Sequence, residues 1–529
     1  DFCLSRGLGD VYKRQKKNLL YILLFAMSLT SCGDFLELYP KTQLNDGDFY
    51  KTEDDVKMGL YGLMNTLQHS VDNIYSTFIY MSDEGDTGGG PGEGGYGLDL
   101  FQFDSNNCPN WWGGEWNLGM YEGIARANLL LSKLDGATMT DAARTRLRAE
   151  ITFARMVFYY YMFIGYEQFV LIDRIILPDE MYSVPKASRE DCYKFIMNDL
   201  DNTIIGNLPV TVPDEECGRY INDAAIVMKA KMILFARDES RYAEALNDMR
   251  QIINSKRYDL LPDFSRIWLQ EGEFCQESIM EFVYTEKANS NDWGGYINGV
   301  CNNLPTWCSG RGIVDPRSAE EGGLGDGWGQ ATVKRNVYDW YEEGDTRREG
   351  TFIDYAVEAQ KVRDLGYEVD FHVDDNQMSF DGFGNYKYHA RKGYTSATSY
   401  LNYNNNFRFL RFADVLLLGT ELDIRANGTA SAEGQGWYSR IRKRAFGDDN
   451  HTPDLTKMNK QEALDVIFNE RGLEFAYELH RWIDLMRFDK GAEILGEKGW
   501  TEKYRYMPIS QMDLDEADGN LTQNPGWSK

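Results

Sequence analysis

The chain has 529 residues, of which 43% are hydrophobic and 26% charged, a balance typical of a folded globular protein and not of a disordered one. Its formal net charge of −27 argues against nucleic-acid binding, which selects basic surfaces. Eight cysteines exclude a dense disulfide scaffold at this length, and with only five histidines and no HExxH or paired CxxC motif we expect no metal or other cofactor.

The N-terminal residues are predicted to lie outside the fold. Residues 1–15 match no structural element, and we expect them to be non-native flanking sequence. Residues 16–31 have the pattern of a signal peptide, with Lys16 and Lys17 ahead of an apolar run over 19–31. That run has 13 residues and is too short to span a bilayer, which takes about 20 residues.

The leader ends in a motif that predicts lipidation. Leu29, Thr30 and Ser31 precede Cys32, and a lipoprotein signal peptidase needs small residues at its cut. Cys32 is therefore the predicted lipidation site, and residues 32–50 the lipidated tether. The alternative is an ordinary secretory signal with a chance cysteine. Removal of residues 1–31 would leave a net charge of −30.

Helical periodicity dominates residues 51–529. The predicted helices are 52–68, 116–134, 141–164, 190–204, a hairpin over 222–254, and the pairs 410–427/434–445 and 460–475/477–489. The hairpin has about 34 residues, the period of a tetratricopeptide repeat. Short strands are predicted near 279–285, 351–356 and 366–373. The predicted fold class is mainly α, a single large domain of tetratricopeptide-like helix pairs with a few short strands.

Two long irregular excursions, near 70–115 and 286–330, interrupt this pattern. The first contains a tract with eight glycines over residues 85–97, where we expect no regular element. The second mixes Gly, Asn, Trp and Cys without a period. Loops this long inside a compact domain are usually either functional or disordered, and the aromatic residues in the second excursion favour function.

Aromatic side chains in the excursions are the main candidates for ligand contact. Flat aromatic faces stack on the apolar faces of sugar rings, while neighbouring polar groups bond the hydroxyls. Each such side chain could equally pack its own loop, but as a set they favour a binding surface. The candidates are Trp293, Trp307, Trp112, Tyr96, Trp111 and Tyr296.

Three other groupings have alternative interpretations. Cys301 and Cys308 are either a loop disulfide or two thiols. The acidic run from Asp83 to Asp86 lacks the spacing of an EF-hand, so a solvated acidic loop is favoured over a calcium site. Glu470, Glu474 and Glu478 are interpreted as ion-pairing residues that brace a helix, and no catalytic residue is predicted.

A series of short sequence motifs extends along most of the chain. The first are Cys32 to Glu37 with Pro40, Trp116 with Tyr121, Ile124, Ala127 and Asn128, and Ala149-Glu150 with Ala154-Arg155, Gly165 and Pro185. Next come Gly218-Arg219 with Ala224-Ala225 and Ala230-Lys231, and Trp328 with Asp345 and Arg347. The last are Phe409 to Leu417 with Glu421, Asn469 to Arg471 with Glu474, Glu478, Arg481, Asp484, Leu485 and Arg487, and Gln523 to Trp527. From residue 16 to 529, this combination resembles the SusD/RagB family of outer-membrane lipoproteins.

The resemblance implies a fold and a function. It implies four tetratricopeptide-like helix pairs that scaffold a ligand site built from the irregular excursions. It also implies a cell-surface lipoprotein of the outer membrane, of a type found in Bacteroidetes, that captures oligosaccharide, passes it to a SusC-like TonB-dependent barrel and has no catalytic activity. The alternatives are a surface glycoside hydrolase and a peptide-binding member of the same scaffold. The Gly-rich tract at 85–97 departs from the family pattern.

Overall fold

A computed structural model describes residues 49–90, 93, 103, 114–178, 180–285, 300–369, 371, 377–395, 402–517 and 519–527, with the side chains of 71, 72 and 114–118 left out. The predictions for residues 1–48, including Cys32, lie outside these ranges. Thr52–Lys529 forms one compact unit. Within the described residues, no helix is both long enough and apolar enough to cross a membrane.

Helices make up most of the unit. The α-helices are α1 (Glu53–Met81), α2 (Gly114–Leu134), α3 (Asp141–Tyr166), α4 (Arg189–Asp199), α5 (Asn222–Ala236), α6 (Tyr242–Asn254), α7 (Leu304–Cys308), α8 (Arg335–Tyr338), α9 (Arg347–Thr351), α10 (Tyr355–Asp364), α11 (Phe412–Asn427), α12 (Ala432–Phe446), α13 (Lys460–Glu474), α14 (Arg481–Arg487), α15 (Gly491–Leu495) and α16 (Gln511–Glu516). A π-helical turn, Leu200–Ile204, continues α4. The 3₁₀ helices are Asp214–Glu216, Glu239–Arg241, Phe264–Trp268, Gln270–Gly272, Leu455–Lys457, Gly496–Lys498 and Glu502–Arg505.

The strands form three two-stranded antiparallel sheets. They are β1 (Gly85–Gly88), β2 (Ser278–Phe282), β3 (Gln330–Val333), β4 (Phe352–Asp354), β5 (Phe383–Asn385) and β6 (Phe407–Arg411). β1 pairs with β3, β2 with β6, and β4 with β5. Each sheet therefore joins segments that lie far apart in the sequence.

Packing between helices confirms the predicted fold class. α2 packs on α3 and both pack on α1, α5 packs on α6, and α11 packs on α6, α12 and α13. The later part of α3, which is apolar almost all round, is buried from Ala149 to Tyr166. The fold is a helical single domain with few short strands.

Two of the helix predictions need correction. The first helix ends at Met81 and not at residue 68, so it takes up the start of the predicted 70–115 excursion. Its start is as predicted, because Thr52 and Asp55 form a reciprocal capping box. The helix predicted over 477–489 begins only at Arg481, since Tyr477 (φ 62°) and Leu479 (φ 69°) adopt left-handed backbone, which a right-handed helix does not contain.

The strand predictions also need correction. β2 and β4 confirm the strands predicted near 279–285 and 351–356. Residues 366–369 and 371 are not in a strand, and the strand in this part of the chain is β5. The Gly-rich tract, where no regular element was predicted, contains β1, whose Asp86 pairs in register with Thr332. Pairing with the distant strand β3 stabilises an extended conformation that the local sequence does not predict.

The three glutamates interpreted as helix-bracing residues form a buried ionic network between elements. Glu470 and Glu474 lie 2.6 and 3.2 Å from the Arg347 guanidinium, and Glu478 lies 2.8 Å from Arg411. Burial raises the pKa of Glu474, but Arg444, Arg411 and Arg347 outweigh it and hold that pKa well below its usual range. The three glutamates do form ion pairs, but the prediction that these pairs brace one helix is wrong, because their partners lie on other elements.

Candidate functional site

Most of the predicted ligand-contact residues lie outside the described ranges. Tyr96, Trp111, Trp112, Trp293 and Tyr296 are in this group, and so is the lipidation site Cys32. Among the predicted residues, Trp307 is the one that the structure describes.

Trp307 forms an aromatic pair with Trp328. The two ring centroids are 6.1 Å apart and the ring planes are inclined by 46°. Both side chains are half-buried, so each keeps part of its surface open to solvent. Among the described residues, no hydrogen-bond partner reaches the buried Trp307 Nε1. Two tilted rings of this size form an apolar surface that favours particular orientations of a stacked ligand. Sugar-binding sites have surfaces of this kind.

Close backbone contact brings the two tryptophans together. Trp307 lies on the short helix α7, which has Pro305 in its first turn. The Trp328 amide donates to Thr306 O at 2.7 Å. A Cβ at Gly327 would lie 2.6 Å from both Thr306 O and the Ser309 Cβ, so only glycine permits this approach.

The Gly-rich segment lies directly against this pair. The Gly89 amide donates to Gly329 O at 2.6 Å, and the Met378 amide donates to Gly89 O at 2.8 Å. Gly88 has a φ of 56°, and a Cβ there would lie 2.0 Å from Gly329 O. The glycines that make 85–97 unusual are therefore required, at least here, by contact with the residue that follows Trp328.

Polar groups lie next to Gly329, the residue that follows Trp328, because a Cβ at Gly329 would meet the Gln377 side chain. Arg311 Nη1 lies 3.2 Å from Glu93 Oε1, and Gln377 Oε1 accepts from the Arg311 amide at 2.7 Å. The ion pair with Arg311 lowers the pKa of Glu93. Asp326 accepts from the Gly312 and Ile313 amides, and burial raises its pKa. Hydrogen-bond donors and acceptors thus lie in the segments that adjoin the tryptophan pair.

The remaining groupings are structural. Cys301 Sγ donates to Thr285 O at 2.8 Å and Cys308 Sγ to Tyr75 Oη at 3.6 Å, so no disulfide joins the two cysteines. Within the described residues, no group of three or more His, Cys, Asp or Glu side chains is arranged to hold a metal ion.

The acidic run at 83–86 is not the solvated loop that was predicted. Asp83 forms a bidentate ion pair with Arg481 at 2.8 Å, and Asp86 lies 3.0 Å from Lys334 Nζ. Glu84 is only 1% exposed, and burial raises its pKa to about 8. Partners from distant segments, invisible in the local sequence, bury this run.

The arrangement around Trp307 and Trp328 is suited to binding a ligand. Trp328 was visible in the sequence as an aromatic residue of the second excursion, but its pairing with Trp307 depends on the contact between α7 and the start of β3. Arg311, Glu93 and Gln377 carried no local signal, because they come from three separate segments. The glutamates of the ionic network are buried and lie in a different cluster, so they are not available to a glycosidic bond.

Comparison with known proteins relates the chain to one family. A model described as the SusD family matches residues 276–527. SusD-like protein P25 of Formosa agariphila is 23% identical, covering 93% of this chain and 94% of the relative. The starch-binding protein SusD of Bacteroides thetaiotaomicron is 24% identical, covering 76% of each chain.

Solved structures share the fold. Surface glycan-binding protein A from Bacteroides thetaiotaomicron, in complex with laminarihexaose, is 26% identical, with a TM-score of 0.78 over 90% of this chain and all of that one. A laminarin-binding SusD-like protein is 27% identical, with a TM-score of 0.76 over the same shares.

Proposed function

This chain belongs to the SusD/RagB family, and from that premise we propose that it captures oligosaccharide at the cell surface. The observation that carries the proposal is the half-buried Trp307–Trp328 pair, with Gln377, Arg311 and Glu93 linked to one another beside Gly329, the residue after Trp328. Sugar rings stack on the indole faces, and the polar side chains bond the hydroxyls. We assign the site binding only, without a catalytic step.

Relatives supply the first ligands to test. One structure at 26% identity holds laminarihexaose and another at 27% is described as laminarin-binding, whereas a relative at 24% identity is named a starch-binding protein. We propose a laminarin-type oligosaccharide as the ligand, with a starch-type oligosaccharide as the comparison.

The cellular setting is part of the same proposal. Residues 16–31 are a cleaved signal peptide and 32–50 a tether whose lipidated Cys32 anchors the 51–529 domain to the outer-membrane surface. The captured sugar passes to a SusC-like TonB-dependent barrel. A Cys32→Ser variant that still fractionates with membranes would contradict the anchor.

Calorimetry on the Trp307→Ala variant tests the site. Loss of one stacking face is expected to weaken laminarihexaose binding about tenfold, which corresponds to about 1.4 kcal/mol, without unfolding the protein. Trp340→Ala is the matched control, because Trp340 is also half-buried but stacks under the Arg481 guanidinium, 4.7 Å from its ring centroid. Its affinity for the sugar should equal that of the wild type.

Three results would count against the proposal. Equal affinity of Trp307→Ala and the wild type would remove the site from this face. Binding of peptides, with indifference to both laminarihexaose and maltohexaose, would favour the peptide-binding alternative. Release of reducing ends from a bound polysaccharide would favour the glycoside hydrolase alternative.

A further inference from the structure

A cavity of about 470 Å³ opens beside α10, and its lining includes neither Trp307 nor Trp328. Aromatic side chains form part of its wall: Tyr338, Phe352, Tyr386 and Tyr394. Charged side chains form another part: Arg348, Lys361, Arg391, Lys392, Glu349, Asp354 and Glu358. The lining thus carries four cations and three carboxylates, in a chain whose net charge is −27.

Arg391 is the exception among the buried arginines. Eleven arginines are buried in the described part of the chain. Ten of them have a carboxylate within 4.0 Å among the described residues, namely Arg155, Arg219, Arg317, Arg347, Arg408, Arg411, Arg442, Arg471, Arg481 and Arg487. Arg391, which is 8% exposed, has none in that part of the chain.

The guanidinium of Arg391 is held by neutral groups. It donates to the backbone oxygens of His389 at 3.1 Å and Tyr386 at 2.6 Å, and it lies 4.7 Å from the Tyr386 ring centroid. Burial lowers its pKa. A buried cation without a counter-ion is costly, and proteins normally pair it. The described hydrogen-bond partners of Arg391 are therefore all neutral.

Arg348 adds a second guanidinium, and this one has an unused donor in the described part of the chain. Its buried Nε has no hydrogen-bond partner among the described residues, and the carboxylate of Glu349 lies 3.8 Å away, beyond hydrogen-bond distance. The guanidinium carbon lies 5.1 Å from the Tyr338 ring centroid. Like Arg391, it has an aromatic neighbour, and its Nε is a donor that an oxyanion would satisfy.

The carboxylates of the lining do not supply that oxyanion. Glu358 is paired with Arg317 at 2.8 Å and Lys361 at 3.1 Å. Asp354 caps α10 by accepting from two backbone amides. The Glu349 side chain is 71% exposed. Their charges are therefore already engaged or face solvent.

We propose that this cavity binds an acidic sugar unit, with its oxyanion at Arg391 and Arg348 and its ring against the tyrosines. The chemistry common to such units is a carboxylate or sulfate on a pyranose, and guanidinium groups bond both. The saccharide part of this inference rests on the proposed function, whereas the oxyanion part does not. The cavity binds acidic sugar units, alongside the Trp307–Trp328 face, which binds neutral ones.

Titrations with small probes on the intact protein test the proposal. Glucuronate and glucose differ by one carboxylate, so the cavity should bind glucuronate saturably and glucose at least tenfold more weakly. Arg348→Gln should weaken glucuronate binding about tenfold, and Arg391→Lys by a similar factor. Arg126→Gln is the charge-matched control, because Arg126 is an exposed residue paired with Glu122 on α2, and it should change the affinity less than twofold.

The variants separate folding from binding. Because Arg391 is buried, circular dichroism is used to check that Arg391→Lys folds. If Arg391→Lys does not fold, the glucuronate affinity of Arg348→Gln tests the proposal. No saturable glucuronate binding by the folded wild type overturns the proposal, as does equal weakening by Arg126→Gln and Arg348→Gln. Binding of inorganic sulfate as tight as that of glucuronate overturns the saccharide part.

Parallel titration with laminarihexaose distinguishes this inference from the proposed function. Unchanged laminarihexaose affinity in Arg348→Gln supports two separate surfaces, and its loss there contradicts them. If glucuronate binds while laminarihexaose and maltohexaose do not, the proposal of a neutral ligand at Trp307 fails and the oxyanion site stands.

Discussion

Glu84 shows what burial does to a single carboxyl group. Its side chain is 1% exposed, Oε1 has no hydrogen-bond partner among the described residues, and burial raises its pKa to about 8. The unfolded chain would bind this proton with a pKa near 4.5. Between these values the folded state holds a proton that the unfolded state releases, so stability is full below pH 4.5 and falls as the pH rises towards 8.

Glu84→Gln removes this proton linkage while keeping the shape of the side chain. The variant should gain free energy of unfolding relative to the wild type as the pH rises, by about 1.4 kcal/mol per pH unit at most. Urea denaturation at several values between pH 5 and 8 measures the difference. A difference that stays constant over this range would show that Glu84 is ionised in the folded protein.

Glu93→Gln provides the control of opposite sign. Its ion pair with Arg311 lowers the pKa of Glu93, so this carboxylate stabilises the fold above its unfolded pKa and the contribution is lost on acidification. The glutamine variant should therefore be less stable than the wild type near neutral pH. The deficit should disappear at low pH.

Residues of the candidate site were predictable only where the residue type itself pointed to ligand contact. Trp307 could be named because a tryptophan in an irregular segment is unusual in itself. Arg311, Glu93 and Arg391 could not be, because arginine and glutamate are common on every surface. What distinguishes them is a distant partner or, for Arg391, the lack of one within the described residues.

Strand β1 is the element on which the geometry of the Trp307–Trp328 pair depends. It pairs with β3, and the turn that follows it bonds Gly329, the neighbour of Trp328. Gly88 has left-handed backbone, and its missing Cβ leaves room for Gly329 O. The Gly-rich tract therefore acts as a close-contact strand and turn at this end.

Gly88→Ala should disturb this element. An added Cβ at a positive φ, 2.0 Å from a carbonyl oxygen, is expected to cost about 1–3 kcal/mol of stability and to weaken laminarihexaose binding. Gly62→Ala on α1 is the control, because its Cβ meets nothing within 4 Å and alanine favours the helix by about 1 kcal/mol. Denaturation and calorimetry measure both effects. Equal stability of the two variants would show that the β1 turn tolerates a side chain.

Helices were more predictable than strands or turns. Caps and a 3.6-residue period are local, so the 222–254 hairpin and the start of α1 could be placed from the sequence. Strands β1, β3 and β5 have three or four residues, and each is held by a partner far along the chain. The break at Tyr477 and Leu479 has no glycine or proline to announce it.

At the scale of the whole molecule, the fold keeps most of its buried charge in pairs. Arg347, with no exposed surface, joins Asp345, Glu470 and Glu474, and Arg411 joins Glu277, Glu474 and Glu478. These pairs tie helices α9 and α13 to strand β6. Many family motif residues lie in this network, which explains why the motifs identify the scaffold and not the ligand.

The negative net charge of the whole molecule affects which ligands can approach it. A chain with a charge of −27 repels acidic ligands at long range, so an acidic sugar needs a local cationic site. The cavity of Arg348 and Arg391 is such a site, whereas the Trp307–Trp328 face relies on stacking. In our proposal, neutral sugar units bind to the Trp307–Trp328 face and acidic units bind in the cavity.

The most direct test of the central claim is a crystal structure of the protein with laminarihexaose bound. The account predicts a glucose ring stacked within about 4 Å of the Trp307 or Trp328 indole, with hydroxyls bonded to Arg311, Glu93 or Gln377. A sugar bound to the folded protein at a place that contacts neither tryptophan would contradict it.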